Sequence, residues 1–249
     1  MSAETEGRAA AEKFRKAHRL GIQPLGDLVA LIEQTTGNDV AVLGVGPDEH
    51  GLTMRDPFRD AVFIAVARTS HPMRQRSTLA HELAHVVFAD WTAVPSVAPV
   101  SARPFEEIRA DAFARHLLVP VAGLQEVVDA GRPVDLGALS KVVQLFGVSP
   151  AMAAIALHDA DRIDSETKQR WMTLMTPGLA ARFGWSDQYE SLQVQSNSRR
   201  APQKLLARSI HGYVENVVSA QTIATLRSMD VEDVIRALHG EGIRPRELN

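Results

Sequence analysis

The chain has 249 residues, 45% of them hydrophobic, which is enough apolar material for one large core or two to three small ones. Its formal net charge of −3 argues against nucleic acid as the main partner, and the absence of cysteine excludes disulfides and thiolate-bound metals. Only 5% of the residues are aromatic, while Ala, Leu and Val are abundant, which favours a largely helical protein.

The N-terminal segment lacks the features of an export signal. Its first residues, MSAETEGRAAAEKFRKAHRLG, are charged and have no apolar stretch. No apolar run elsewhere approaches the roughly 20 residues needed to cross a bilayer. We therefore expect a soluble cytoplasmic protein that does not engage a membrane.

Two helices and a small sheet are predicted for the first part of the chain. Residues 4 to 20 are typical of a charged helix, and PLGDLVALIEQTTG predicts a second, apolar on one face. Three short β-like runs follow, DVAVLGV, GLTMRD and DAVFIAVA, each bounded by Gly, Pro or Asp. This order predicts a small antiparallel meander.

The rest of the chain is predicted to be helical. A helix is expected from about Pro72 to Phe88, because proline is favoured in the first helical turn. The Pro/Ser-rich loop TAVPSVAPVSARP separates it from a second amphipathic helix, FEEIRADAFARHLLVP, which Pro120 stops.

The segment TLAHELAHVVFAD carries the pattern of a metal site. His81 and His85 are four residues apart, so on a helix they lie on one face and can meet one cation about 2.0–2.1 Å from each ring nitrogen. Glu82 is offset around the helix, so it can miss the metal and take a proton from a water there as that water attacks a carbonyl. The alternative is a chance match, in which polar groups beside an apolar helix face would be costly to bury without partners.

A third ligand is expected from the second amphipathic helix. A metzincin would need Gly and His after the motif, where this chain has Phe88 and Trp91. Glu107 and Asp111 are four residues apart and share a helix face, whereas Glu106 lies about 100° away. We therefore predict Glu107 as a ligand and Asp111 as acceptor of the outer N–H of a ligand histidine. The competing interpretation is an ordinary exposed charged face.

The two helices together resemble the ImmA/IrrE metallopeptidases. RQRSTLAHELAHVVF is followed by EEIRADAFARHLLVP, as in the family's HExxH helix and its second helix, E-x-x-A-[ND]-x-F-A-x-x-L-L-x-P. The resemblance covers roughly residues 20 to 165 and departs at Ser77, where an apolar residue is usual, and at Ala84, where glycine is common. It implies a zinc endopeptidase that cleaves a cytoplasmic helix-turn-helix repressor and so relieves repression, in a stress response or in mobile-element regulation.

A helix-turn-helix outline also appears later in this chain, in LGALSKVVQLFGVSPAMAAIALHDADRI. Its second helix opens on small apolar residues and offers no Arg, Lys, Asn or Gln to read base edges. Residues 126 to 165 contain six acids against three bases, the wrong balance for a phosphate backbone. We expect this unit to pack or to dock a protein partner, and we do not expect direct DNA binding.

The predicted fold class is α+β and mostly helical, a zincin-like metallopeptidase domain with a small antiparallel sheet, followed by helical, helix-turn-helix-like regions. The expected divisions are residues 1–122 for the peptidase domain, 123–165 for the helix-turn-helix-like region and 166–249 for a C-terminal helical region. The expected metal is Zn2+, replaceable by Mn2+ or another divalent ion, in a gluzincin-like site.

A non-catalytic function is the main alternative. In that interpretation a structural metal stabilises a regulatory protein that binds a repressor or DNA through its helical C-terminal part. An open fourth metal position favours the enzyme, and a closed four-ligand site favours the regulator.

Arg74 and Arg76, about two turns before the motif, either bind substrate carbonyls or remain solvated.

Overall fold

The computed structural model describes residues 1–46, 51–90, 103–128, 131 and 133–247. The fold is α+β and mostly helical, as predicted. The elements of the described residues are, in chain order, α1 (Ala3–Ala17), α2 (Leu28–Thr36), β1 (Asp39–Leu43), β2 (Gly51–Asp56), β3 (Ala61–Ala67), α3 (Pro72–Phe88), α4 (Phe105–Leu118), α5 (Val121–Val127), α6 (Leu136–Phe146), α7 (Pro150–Asp159), α8 (Ser165–Met172), α9 (Thr176–Phe183), α10 (Ser186–Ser196), α11 (Gln203–Val214), α12 (Ala220–Arg227) and α13 (Val231–Gly240).

The sheet is mixed, so the predicted antiparallel meander is wrong. Its strand order is β1-β3-β2, with β1 parallel and β2 antiparallel to the central strand β3. The burial of the strands explains this order. β3 is almost wholly apolar and buries Ile64 and Val66, while β2 carries polar residues and is half-exposed along its length. The more apolar strand takes the centre, where both of its edges are paired.

The β1 edge of the sheet is closed by the C-terminal part of the chain. The backbone of Arg200 exchanges two hydrogen bonds with Val42, at 2.9 and 3.1 Å. Nearby, the carbonyl of Ser196 accepts from the backbone N–H of Thr69 and from the side-chain amide of Gln75. The outer edge of β2 pairs with no strand in the part of the chain that the structure describes. β2 contacts α3 through Gly51 and Thr53.

Helix ends follow the sequence signals. α3 begins with Pro72 in its first turn, and α2 ends at Gly37 in the left-handed conformation, with φ 74°. α6 and α7 meet at Gly147, with φ 62°, and Ser149 caps α7 through its side chain. The two helices are bent by 110° at this point. No single helix among the described residues is long and apolar enough to span a membrane, and this bent pair passes that test by length and composition only.

Two groups of buried side chains hold the chain together. The larger extends in sequence from Ala11 to Tyr189 and contains α4 and the helix-turn-helix-like pair α6–α7. The smaller is formed within α11–α13, around Ile223 and Val234. The larger core includes residues on both sides of the predicted divisions at 122/123 and 165/166. Those divisions remain predictions of how the chain is organised.

Candidate metal centre

α3 and α4 pack side by side and bring three predicted ligands together. His81 Nε2 lies 3.2 Å from His85 Nε2 and 3.3 Å from Glu107 Oε2, and His85 Nε2 lies 3.6 Å from Glu107 Oε1. One donor atom from each residue falls within 4.8 Å of the others. Donors bound about 2.0–2.1 Å from a tetrahedral ion lie roughly 3.4 Å apart, so this donor set fits a single divalent ion.

Asp111 lies behind His81, on the side away from the other donors. Its Oδ1 is 2.9 Å from His81 Nδ1, and its Oδ2 accepts from Arg103 Nη1 at 2.6 Å. Burial by itself would lower the pKa of His81, but the hydrogen bond and charge of Asp111, with the charges of Glu107 and Glu82, raise that pKa above its ordinary value. A proton held on Nδ1 by this carboxylate leaves the Nε2 lone pair for a metal.

Asp90 stands in a corresponding place behind His85, and the sequence argument missed it. The left-handed residue Ala89, with φ 56°, ends α3 and is followed by this aspartate. Asp90 Oδ2 lies 3.5 Å from His85 Nδ1 and is buried without a hydrogen-bond partner, while Oδ1 accepts from Arg109 at 2.7 Å. Arg109 also contacts Glu6 of α1, at 3.2 Å. The available signal was an acid five residues after the second histidine.

Glu82 lies outside the group of three donors. Its side chain is buried, at 8% exposure, and its Oε2 accepts a hydrogen bond of 2.6 Å from Thr53 Oγ1 on β2. Gly51 of the same strand packs against the other carboxylate oxygen, where an added Cβ would lie 2.6 Å from Oε1. Two residues of β2 therefore hold the Glu82 carboxylate in place, Thr53 by a hydrogen bond and Gly51 by close packing. Thr53 and Gly51 were not identified from the sequence, because their place depends on how the strands pair.

The structure also distinguishes the two adjacent glutamates of α4 and locates Arg76. Glu106 is exposed and does not join the donor group, whereas Glu107 does. Arg76 is half-buried, and its guanidinium donates to three backbone carbonyls, those of Leu25, Gly26 and Gly147. Burial lowers the pKa of Arg76 to about 10, against the opposing charge of Asp27. Arg76 therefore ties loops to α3 and does not face substrate.

The comparison with protein families agrees with this arrangement. Residues 46–158 match the model of the IrrE N-terminal-like domain, peptidase family M78. A search of curated proteins finds no match to the chain. The matched stretch contains both helices of the site, and the family indicates a metallopeptidase that uses a divalent metal. Over residues 46–158, the chain is therefore similar to the ImmA/IrrE-like metallopeptidases, which supports the resemblance drawn from its two helices.

Proposed function

We propose that the chain is a zinc-dependent endopeptidase with a gluzincin-like site. His81, His85 and Glu107 would hold the ion. The observation that carries the proposal is the triangle of three donor residues, whose nearest donor atoms lie 3.2 to 3.6 Å apart, beside a buried carboxylate that is not part of it. Imidazole and carboxylate donors without thiolate suit zinc and also accept manganese.

The chain's own residues supply the acid–base chemistry. A divalent ion bound here would polarise a peptide carbonyl and lower the pKa of water to about 7. Glu82, restrained by Thr53, would accept a proton from the attacking water and deliver it to the leaving amine nitrogen. Asp111 and the charge of Asp90 would keep the two imidazoles in the tautomer that presents a lone pair to the ion.

The free edge of β2 supports a simple placement of substrate. An extended peptide can add to an exposed sheet edge through main-chain hydrogen bonds. β2 is the edge strand beside α3, and its residues Gly51 and Thr53 contact the side chain of Glu82. A peptide paired along this strand would pass over the donor triangle and present a carbonyl to it.

The proposed substrate is a cytoplasmic helix-turn-helix repressor, cut at one site to relieve repression. The family resemblance motivates this substrate, and the charge of the chain supports it. Residues 126 to 165 carry six acids against three bases, which suits a basic DNA-binding domain better than DNA itself. The second helix of the helix-turn-helix-like pair buries Ala153, Ala154 and Leu157 in the larger core, which favours a packing function for α7.

The decisive variant is Glu82→Gln. Glutamine cannot accept the proton, so we expect this variant to retain its metal, by elemental analysis, and to lose cleavage. The assay is co-expression of the chain, with and without the substitution, with repressors from its own genome, followed by mass spectrometry for one new fragment. Full activity of the variant would remove the proposed mechanism.

The same experiment separates the competing functions. A non-catalytic regulator would relieve repression equally well with Glu82→Gln and would leave the repressor intact. A general peptidase would degrade unstructured casein rapidly and show no preference for any repressor. The proposed function requires a single fragment that depends on Glu82.

A further inference from the structure

Arg74, unlike the half-buried Arg76, is exposed and lies where two grooves meet beside the candidate metal centre. It is the third residue of α3 and lines a groove of about 340 Å³ that also includes Arg68 and Thr78. It also lines a second groove of about 390 Å³, which includes Asp111. Thr78 packs near Gly51 and Asp111 bonds to His81, so both grooves adjoin the catalytic site.

The positive charge of Arg74 has no neutralising partner among the residues that the structure describes. Arg68 and Arg74 are both exposed, and across the described residues neither side chain makes a hydrogen bond or an ion pair. No described carboxylate lines the first groove. In the second, Asp111 is already bonded to Arg103 and His81. An acidic group arriving in these grooves would therefore meet an arginine that no described carboxylate already holds.

The position of Arg74 in its helix also argues against a stabilising role. A cation in the first turn of a helix opposes the helix dipole, and the first turn of α3 contains no acid to compensate. The side chain therefore sits where it disfavours the helix and contributes no described contact in return. Binding of a substrate group by Arg74 would explain why an arginine occupies this position.

The helix geometry gives the distance from Arg74 to His81, one of the proposed metal ligands. His81 lies seven positions after Arg74, which is about 10 Å along the helix axis. An extended peptide advances about 3.3 Å per residue, so about three substrate residues span this distance. Successive side chains of such a peptide point to opposite sides, which suits two grooves that flank one arginine.

We propose that Arg74, assisted by Arg68, forms a specificity subsite for an acidic substrate side chain, about three residues to one side of the scissile bond. This inference rests on the proposed peptidase function and on the placement of substrate along β2. The substrate class is thus a peptide segment with Asp or Glu at that position. The bond that is cut need not itself be next to an acid.

The test uses a positional-scanning peptide library in which one position at a time carries Glu, Gln or Lys. With the metal-loaded protein, we expect Glu over Lys to raise kcat/KM by roughly fivefold at one position about three residues from the cut, the range for exposed ion pairs. Arg74→Glu should reverse this preference. Glutamate is favourable in the first turn of a helix, so this variant should fold.

Two further variants make the test specific. Arg68→Glu should reduce the same preference, and it is an independent change if Arg74→Glu does not fold. Lys13→Glu, an equal reversal of charge on an exposed residue of α1, should leave the preference as it is in the unmodified chain. A preference that is absent, or that survives both arginine substitutions, overturns the subsite.

A binding measurement separates this inference from the proposed function. Fluorescence anisotropy of the same peptides with the Glu82→Gln protein reports recognition without cleavage. Peptides that are cut without any charge preference leave the peptidase standing and remove the subsite. Acidic peptides that bind through Arg74 but are never cut by the unmodified chain support the subsite and contradict the proposed peptidase function. Failure both to bind and to cleave overturns the two together.

Discussion

His81 and His85 are each supported from behind by a carboxylate, Asp111 in one case and Asp90 in the other. Each carboxylate is held in turn by an arginine. The helix spacing of Glu107 and Asp111 made the first support predictable, because both residues lie on one face of one helix. Asp90 follows a left-handed turn after α3, and no helix periodicity extends that far. Asp111 is hydrogen-bonded to the His81 ring, whereas Asp90 lies 3.5 Å from the His85 ring without a hydrogen bond and acts on it through its charge.

Glu107 and its neighbour Glu106 provide a matched pair of variants. Glu107→Ala removes one corner of the donor triangle, so zinc affinity should fall by more than the roughly 10- to 100-fold seen for outer partners of metal ligands. Glu106→Ala removes an exposed carboxylate outside the group and should change affinity little. Competition with a chromophoric chelator measures both. Loss of the metal in Glu106→Ala would show that Glu106 is the ligand and that the predicted helix face is wrong.

The raised pKa of His81 predicts how metal binding depends on pH. Below that pKa the ring is protonated and must release a proton to bind, so apparent affinity should fall as pH falls, beginning above the ordinary histidine pKa of about 6.5. Asp111→Asn removes the hydrogen-bonded carboxylate that raises the pKa, so the fall should begin at lower pH. Its affinity at high pH should also be weaker, by roughly tenfold.

Affinity titrations across pH test this directly, with Glu106→Ala as the control. The control should keep both the onset and the high-pH affinity of the unmodified chain. An Asp111→Asn protein whose affinity falls over the same pH range as the unmodified chain would show that Asp111 does not set the protonation of His81.

At the scale of elements, the helices were more predictable than the sheet. α3 and α4 follow from local signals, namely apolar periodicity and the prolines Pro72 and Pro120. Strand pairing joins residues that are distant in sequence, so the three β-like runs did not reveal that β3 lies between β1 and β2. The positions of Gly51 and Thr53 over Glu82 depend on that pairing. The helical part of the candidate site was therefore foreseen, and its strand part was not.

Gly51 allows β2 to lie directly on the carboxylate of Glu82, the proposed general base. An alanine Cβ there would meet Glu82 Oε1 and Thr78 Cγ2, each at 2.6 Å, so one of these groups must shift. We expect Gly51→Ala to retain metal and to lower kcat by at least about tenfold, as misplacement of a catalytic group does. Gly178→Ala, which meets nothing within 4 Å, is the control. Metal analysis and peptide kinetics check both, and unchanged kcat in Gly51→Ala would contradict this account of β2.

At the scale of the whole molecule, the C-terminal third has two different relations to the peptidase fold. The segment around Ser196 and Arg200 is integrated, because its backbone closes the β1 edge of the sheet. The helices α11–α13 instead bury their apolar side chains among themselves, around Ile223 and Val234. Contacts such as Gln203 N–H to Glu33, at 2.9 Å, join this group to the remainder. Because α11–α13 have a core of their own, we do not expect the larger core to need them in order to fold.

This division predicts the effect of ending the chain after Pro202. The bridge between Arg200 and Val42 remains, so the shortened protein should keep its fold, its metal and its cleavage of short peptides. If α11–α13 dock the substrate protein, cleavage of the intact repressor should fall at least about tenfold, since binding energy far from the scissile bond is lost. Circular dichroism, elemental analysis and parallel kinetics on peptide and repressor distinguish the possibilities. Equal cleavage of the repressor would place docking on the larger core, and loss of metal would make α11–α13 part of the peptidase fold itself.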